Sequence, residues 1–156
     1  MSAVISYNTL KSHIGTLLKA GAWFPIDQGR IYMFAGATED HQYIHIDEAR
    51  AKETGLGGTI AHGFLSLSLL PKLSEQVMPV PDNMVMAINY GFNKVRFLNM
   101  VRPGDEVRLV ATVSNVEEKT GDRVLLAMDC IVEIKGKDKP AIACEWLNLF
   151  ICEGSI

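Results

Sequence analysis

The densest group of titratable side chains in this chain is E-D-H-Q-Y-I-H-I-D, residues 39 to 47. It sets Asp40 and His45 five positions apart on a segment read as irregular. Segments of that kind hold functional side chains on a rigid frame. A second feature is Thr59-Ile60-Ala61-His62-Gly63, just ahead of an apolar run that reads as a helix. Backbone N–H groups at a helix start have no intrahelical partner and point at whatever lies before them, and Gly63 lets a ligand carbonyl approach. Hydrating an α,β-unsaturated thioester needs a base for water, an acid for the α-carbon and donors for the enolate oxygen. A carboxylate, an imidazole and helix-start N–H groups supply all three. A carboxylate and an imidazole sharing one water can deliver hydroxyl and proton to the same face, a syn addition without metal or covalent intermediate. Each residue also has a plainer reading. Asp40 could cap a turn, His45 could be a packed core histidine, His41 could face solvent, and the glycine-rich stretch could be an ordinary turn into a helix.

Other chemistries lack their signatures. G-L-G-G at 55 to 58 is not G-x-G-x-x-G, Ser66 and Ser68 have no nucleophile-elbow sequence around them, and His41, His45 and His62 have no H-E-x-x-H spacing. No metal is expected. Lys94, Arg96 and Arg102 are candidates for holding phosphates of a coenzyme A substrate, with a solvated sheet surface as the alternative.

The elements that must position these groups differ between the two halves of the chain. Leu10, Ile14, Leu17 and Leu18 recur at helical spacing, with Ser6 or Asn8 as cap and Gly21 as stop, which predicts an amphipathic helix over 8 to 20. R-I-Y-M-F-A-G, rich in β-formers, predicts a strand of about 30 to 36, followed by a T-E-D-H-Q loop. D-E-A-R-A-K-E-T-G predicts a short helix from Asp47 to Gly55. Four glycines in the nine residues G-L-G-G-T-I-A-H-G then lead into an apolar helix starting near His62 or Gly63 and kinked at Pro71. The second half reads as an antiparallel meander, with turns R-P-G-D-E at 102 to 106, K-T-G-D at 119 to 122 and K-G-K-D-K-P at 135 to 140. Within it Val124, Leu126, Met128, Cys130, Val132 and Ile134 share one face at period two. One apolar helix and four long strands need each other to hide apolar surface, so an α+β fold with a curved antiparallel sheet wrapped around the helix is the economical solution. Pattern alone leaves other helix-on-sheet arrangements open.

At 156 residues the chain fits a single domain spanning 1 to 156, and 48% hydrophobic with 21% charged residues is the balance of a globular soluble protein. A net charge of -3, without aromatic residues interleaved among basic clusters, argues against nucleic acid as a partner. Three scattered cysteines, Cys130, Cys144 and Cys152, suit a reducing cytoplasm. Lys11 and His13 interrupt the apolar residues of the first 21, so no signal-peptide core is expected. Nothing approaches the roughly 18 to 20 consecutive apolar residues of a membrane span.

The stretch F-A-G-A-T-E-D-H-Q-Y-I-H-I-D-E-A-R-A-K-E-T-G-L-G-G-T-I-A-H-G-F-L-S-L-S-L-L resembles the MaoC-like dehydratases, including the (R)-specific enoyl-CoA hydratases. Their motif D-x-N-P-[ILV]-H precedes a small-residue segment ending in H-G. Here it takes the form Asp40, His41, Gln42, Tyr43, Ile44, His45, then Ala61, His62, Gly63. The D-H-Q-x-I-H version and the S-Y-N-T-L leader are most like the NodN-like branch. The resemblance spans nearly the whole chain and implies a hot-dog fold, a homodimer, an acyl-CoA substrate and no separate cofactor. It implies Asp40 and His45 as the catalytic pair, the Gly63 N–H as oxyanion donor, and Gln42 and His62 as orienting or substrate-binding groups. The implied reaction is (R)-specific hydration of trans-2-enoyl-CoA, or its reverse. Alternatives are a thioesterase of the same fold, or an acyl-thioester binding protein without activity. Gln42 stands where the motif has Asn, and its extra methylene moves the amide. Tyr43 replaces Pro, which loosens the loop or covers the site with a ring.

Overall fold

The computed structural model of the chain describes residues 4–119 and 121–154. Strand β1 (Val4–Ile5) runs into helix α1 (Tyr7–Ser12), which Ser6 caps by accepting the Thr9 N–H at 3.3 Å. The helix expected over 8 to 20 therefore stops after its second turn. Gly15, at φ +82°, turns the chain out of the helical path. Beyond it the backbone lies along an open sheet edge, with Gly15 N–H donating to Val113 C=O at 2.8 Å, Leu18 to Ala111 at 2.9 Å and Gly21 to Leu109 at 2.9 Å. Hydrogen bonds offered by that edge outweigh the helical periodicity of this segment, and Ile14 and Leu17 end up exposed. Strand β2 (Phe24–Pro25) continues the cover.

The strand expected at 30 to 36 is a helix, α2 (Gln28–Thr38), capped by Asp27, whose carboxylate accepts the Arg30 N–H at 2.7 Å. The β-forming residue types misled. The spacing decides, because Ile31 and Ala35 lie four apart on one buried face while Tyr32 and Met33 are exposed. Helices α3 (Tyr43–Ile46) and α4 (Glu48–Glu53) follow; the short helix expected from Asp47 is α4, and Asp47 itself closes α3 and caps α4. The apolar helix starts at Gly63 but is two short pieces, α5 (Gly63–Ser68) and α6 (Leu70–Ser74). Pro71 falls in the first turn of α6, where a missing N–H costs little, so the break precedes it at Leu69 instead of forming a kink at the proline.

After β3 (Val80–Pro81), which pairs parallel with β1, come four long strands, β4 (Met84–Phe97), β5 (Glu106–Glu118), β6 (Arg123–Ile134) and β7 (Ile142–Cys152). The five-stranded antiparallel sheet has the order β2-β5-β6-β7-β4. Only β5, β6 and β7 form a meander; β4 crosses over to pair with β7, which corrects the simple meander. The crossover puts residues 98–105 beside the start of α5, where Val101 C=O accepts the Ala61 N–H at 2.7 Å. The alternation expected in β6 is present, with its six inward residues all buried in the core cluster that also holds Leu65, Leu70 and Leu73 of the helices. Trp146 and Phe150 of β7 join that core, each contributing on the order of 1.5–3 kcal/mol by leaving water. The fold is α+β, a curled antiparallel half-barrel holding helices in its concave face. Thr120, in the expected K-T-G-D turn, lies outside the described residues. Among the described residues no helix is long and apolar enough to cross a membrane.

Candidate active site

Between α2 and α3 the chain reverses through Glu39, in the left-handed conformation at φ 59°, and presents Asp40. Its carboxylate stays half in solvent, with side-chain exposure of 53%, and Oδ1 accepts the Gln42 N–H at a long 3.4 Å. His45 sits on the single turn α3 and is 6% exposed. Its Nδ1 lies 2.8 Å from the Ile60 carbonyl oxygen. A carbonyl can only accept, so Nδ1 carries the proton and Nε2 of the neutral ring keeps its lone pair. Burial holds the His45 pKa below the ordinary value of 6.5, helped by the neighbouring His62, against the Ile60 hydrogen bond and the Asp40 charge, which raise it.

His62, at the head of α5 and 3% exposed, joins the two. Its ring stacks on His45 with centroids 3.7 Å apart and an interplanar angle of 23°. Its Nε2 reaches the Asp40 main-chain carbonyl at 3.1 Å and lies 3.9 Å from Asp40 Oδ2. Phe34 of α2 also lies against it, tilted by 53° with centroids 5.0 Å apart. Asp40, His45 and His62 each offer a ligand-type atom within 4.8 Å of the others. Chelation by both imidazoles fits poorly. The two rings are stacked, with centroids 3.7 Å apart and planes inclined by only 23°, whereas an ion bonded to a ring nitrogen sits in the ring plane about 2 Å from it. The arrangement suits proton transfer.

Gly63 opens α5 and borders a cavity of about 330 Å³ with Ile60, Ser66, Phe97, Asn99 and Met100. A Cβ at this position would lie 2.8 Å from Phe97 Cδ1, so glycine is what lets that ring lie against the helix start. Asp40 and His45 do not border this cavity, and the two parts adjoin through the His62–Gly63 peptide.

The remaining expected residues fall elsewhere. The Gln42 side chain is exposed and makes no cap for α3. Tyr43 carries the Arg50 guanidinium 4.1 Å from its ring centroid, so the residue in the proline position braces α3 against α4. Lys94 is exposed at a bulge of β4, with φ 55°, and borders a different cavity beside Asp129, Cys130 and Glu145. Arg96 is exposed next to Phe97 and donates to the Val95 carbonyl at 2.8 Å. Arg102 is occupied in holding the glycine-rich loop through the carbonyls of Leu56 and Gly58.

Sequence reasoning missed Gln28 and Glu48 and gave Thr59 no role. Gln28 Nε2 donates to the His45 carbonyl at 2.8 Å, and its Oε1 accepts the Thr59 hydroxyl at 2.6 Å. Glu48 Oε2 accepts the Thr59 N–H at 2.8 Å, and that bond, with Lys52 beside it, holds the Glu48 carboxyl below its ordinary range. The Asp27 cap, which makes Gln28 the first residue of a helix, was the legible signal.

A curled antiparallel sheet around paired short helices is the hot-dog fold. The chain belongs to the MaoC-like dehydratases: the MaoC like domain matches residues 9–132. It is 40% identical over 146 residues to Nodulation protein N of Rhizobium meliloti, covering 93% of this chain and 91% of that protein. It is 43% identical over 129 residues to 3-hydroxyacyl-thioester dehydratase Z of Mycobacterium tuberculosis, covering 83% and 85%. The unliganded R-hydratase PhaJ1 from Pseudomonas aeruginosa superimposes with a TM-score of 0.71 at 25% identity, covering 99% of this chain and 90% of that one.

Proposed function

We propose that this chain adds water to trans-2-enoyl thioesters to give (R)-3-hydroxyacyl thioesters, and catalyses the reverse dehydration, with coenzyme A as part of the substrate and no separate cofactor. The observation that carries this reading is the meeting of Asp40, His45 and His62 within 4.8 Å immediately before the helix start at Gly63. One hydrogen of a shared water points to the Asp40 carboxylate and the other to His45 Nε2. As the water oxygen bonds to C3, one proton passes to this pair, the C2=C3 electrons move toward the thioester carbonyl, and the Gly63 N–H receives the developing oxyanion. The pair returns a proton to C2 on the same face. Atoms balance as one water added, with no redox change.

His62, gripping the Asp40 main chain and stacking on His45, orients both, and Gln42 holds the loop through its main-chain N–H. Arg96, one residue from Phe97, is the better placed candidate for a coenzyme A phosphate; Lys94 borders another cavity. Hydrolysis by a helix-borne carboxylate finds less support, because Glu75, the first acid after Gly63, lies at the end of α6 and pairs with exposed Lys72 at 2.6 Å. Strand β4 exposes Val85, Met86, Ile88 and Tyr90 on the uncovered edge of the sheet, which supports a homodimer formed by edge pairing. We assign the protein to the cytoplasm and to fatty acid metabolism on its three free, buried cysteines and the proposed substrate class. The test is a spectrophotometric assay across enoyl-CoA chain lengths. Loss of enoyl absorbance with formation of the (R)-3-hydroxy product supports the reading; release of free thiol with the enoyl band unchanged overturns it in favour of hydrolysis.

A further inference from the structure

We propose that Gln28 and Thr59 are positioning residues that lock His45 by its main chain and its ring at once, an inference that rests on the catalytic reading of His45 given above. Helix α3 is four residues long and has no side-chain cap. One turn of helix does not hold itself, since nucleation is unfavourable until further residues propagate it. The orientation of His45 must therefore be imposed by its neighbours.

The neighbours form a closed hydrogen-bonded cycle. From the His45 carbonyl it passes to Gln28 Nε2 at 2.8 Å, then from Gln28 Oε1 to the Thr59 hydroxyl at 2.6 Å. It continues along the main chain to the Ile60 carbonyl and returns to His45 Nδ1 at 2.8 Å. The cycle assigns its own donors. Only the Gln28 NH₂ can donate to a carbonyl, which leaves Oε1 facing Thr59. The single hydroxyl proton of Thr59 goes to Gln28, because Glu48 Oε2 lies farther from the hydroxyl, at 3.1 Å, and already takes the Thr59 N–H. The Ile60 N–H in turn donates to the Ile44 carbonyl at 2.9 Å, so the residue that accepts from the His45 ring is pinned to the turn carrying His45. Thr59 is 2% exposed, and Gln28 is the nearer of its two acceptors, so the buried hydroxyl loses its shorter hydrogen bond if Gln28 turns away.

The cycle thus fixes both the place of His45 and its tautomer, with the proton on Nδ1 and Nε2 free toward the reacting water. Second-sphere groups of this kind are typically worth about 10- to 100-fold in activity at metal-bound histidines, and a similar loss is expected here. The experiment compares Thr59→Val, which keeps the shape and removes the hydroxyl, with Thr59→Ser, which restores it. Gln28→Glu, which cannot donate to the His45 carbonyl, is the third variant and sits in a first helical turn that accepts an acid. Imidazole ¹⁵N NMR of His45 in the full-length protein reads the tautomer without any substrate, and kcat and KM for enoyl-CoA hydration are measured beside it.

The expected result is a clean Nδ1–H signature in the wild type and in Thr59→Ser. Mixed tautomers are expected in Thr59→Val and Gln28→Glu, with kcat down about tenfold or more while KM stays within about threefold. A wild-type tautomer signature in a folded Thr59→Val or Gln28→Glu protein overturns the proposal. If Thr59→Val does not fold, Gln28→Glu alone decides it. Altered tautomers in a protein whose wild type hydrates no enoyl thioester would leave the positioning intact and remove the proposed reaction instead.

Discussion

Replacing Asp40 by Asn separates the chemistry of this site from its architecture. The side chain is half exposed, its main tie is a long 3.4 Å bond from the Gln42 N–H, and its Oδ2 stands 3.9 Å from His62. The shorter His62 contact, at 3.1 Å, is to the Asp40 main-chain carbonyl, which the substitution leaves in place. Asn keeps the shape, so stability should change by no more than about 0.5 kcal/mol, the range of surface substitutions away from special features. The rate has a different dependence. Loss of the carboxylate as proton carrier should lower kcat by about 10²- to 10⁴-fold, which corresponds to roughly 2.7–5.5 kcal/mol of transition-state stabilisation. His45→Ala provides the contrast, since it also removes a buried hydrogen bond and a stacked ring, so it should lose activity and about 1–3 kcal/mol of stability together. Crotonyl-CoA hydration, followed by loss of enoyl absorbance, is measured beside thermal unfolding for each variant. Turnover by Asp40→Asn within threefold of wild type would refute the carboxylate's role, and a stability loss matching that of His45→Ala would refute the description of its surroundings.

Because burial lowers the His45 pKa, the acid limb of kcat/KM should lie below the ordinary 6.5, and a limb at or above 6.5 contradicts the assignment. The same shift has a consequence for stability. The contribution of neutral His45 is fully present above 6.5 and is lost as pH falls from there through the lowered folded value, so denaturant midpoints should drop over that window more in wild type than in His45→Ala. Gly63→Ala brings a methyl to 2.8 Å from a Phe97 ring that is 47% exposed and able to move outward, so about 1 kcal/mol of stability should go. Its kcat should fall about tenfold or more as the oxyanion donor is disturbed; equal kcat in the two proteins would remove Gly63 from the oxyanion site. Trp146→Ala, at a fully buried position of β7, should cost about 3–5 kcal/mol in chemical denaturation, and a cost under 1 kcal/mol would mean that the inner face of β7 is not core.

Much of the fold was legible because local chemistry and global packing agree there. The alternation of Val124 to Ile134 has one consistent solution, a strand with one buried face, and the structure shows it. A short helix from about Asp47 and an apolar helix starting near His62 or Gly63 were likewise readable from residue type and spacing. The strand expected at 30 to 36 failed because residue identity was weighed above period, although Ile31 and Ala35 already sit at helical spacing. The helix expected over 8 to 20 stopped short for a non-local reason: main-chain groups of β5 at Val113 and Ala111, more than ninety residues from Gly15 and Leu18, offer hydrogen bonds that no local pattern announces.

What the chain determines on its own is therefore the inventory: an apolar helical segment, four long strands, and a carboxylate, imidazoles and a glycine in a pattern that resembles the MaoC-like family. Tertiary structure alone decides that β4 lies beside β7, that Asp40, His45 and His62 share one corner, and that Gln28 and Thr59 close a cycle around His45. The physical reason is range. Helical period, strand alternation and caps act within a few residues, whereas the partners of His45 come from residues 28 and 60 and are selected only when the packed sheet brings those segments together.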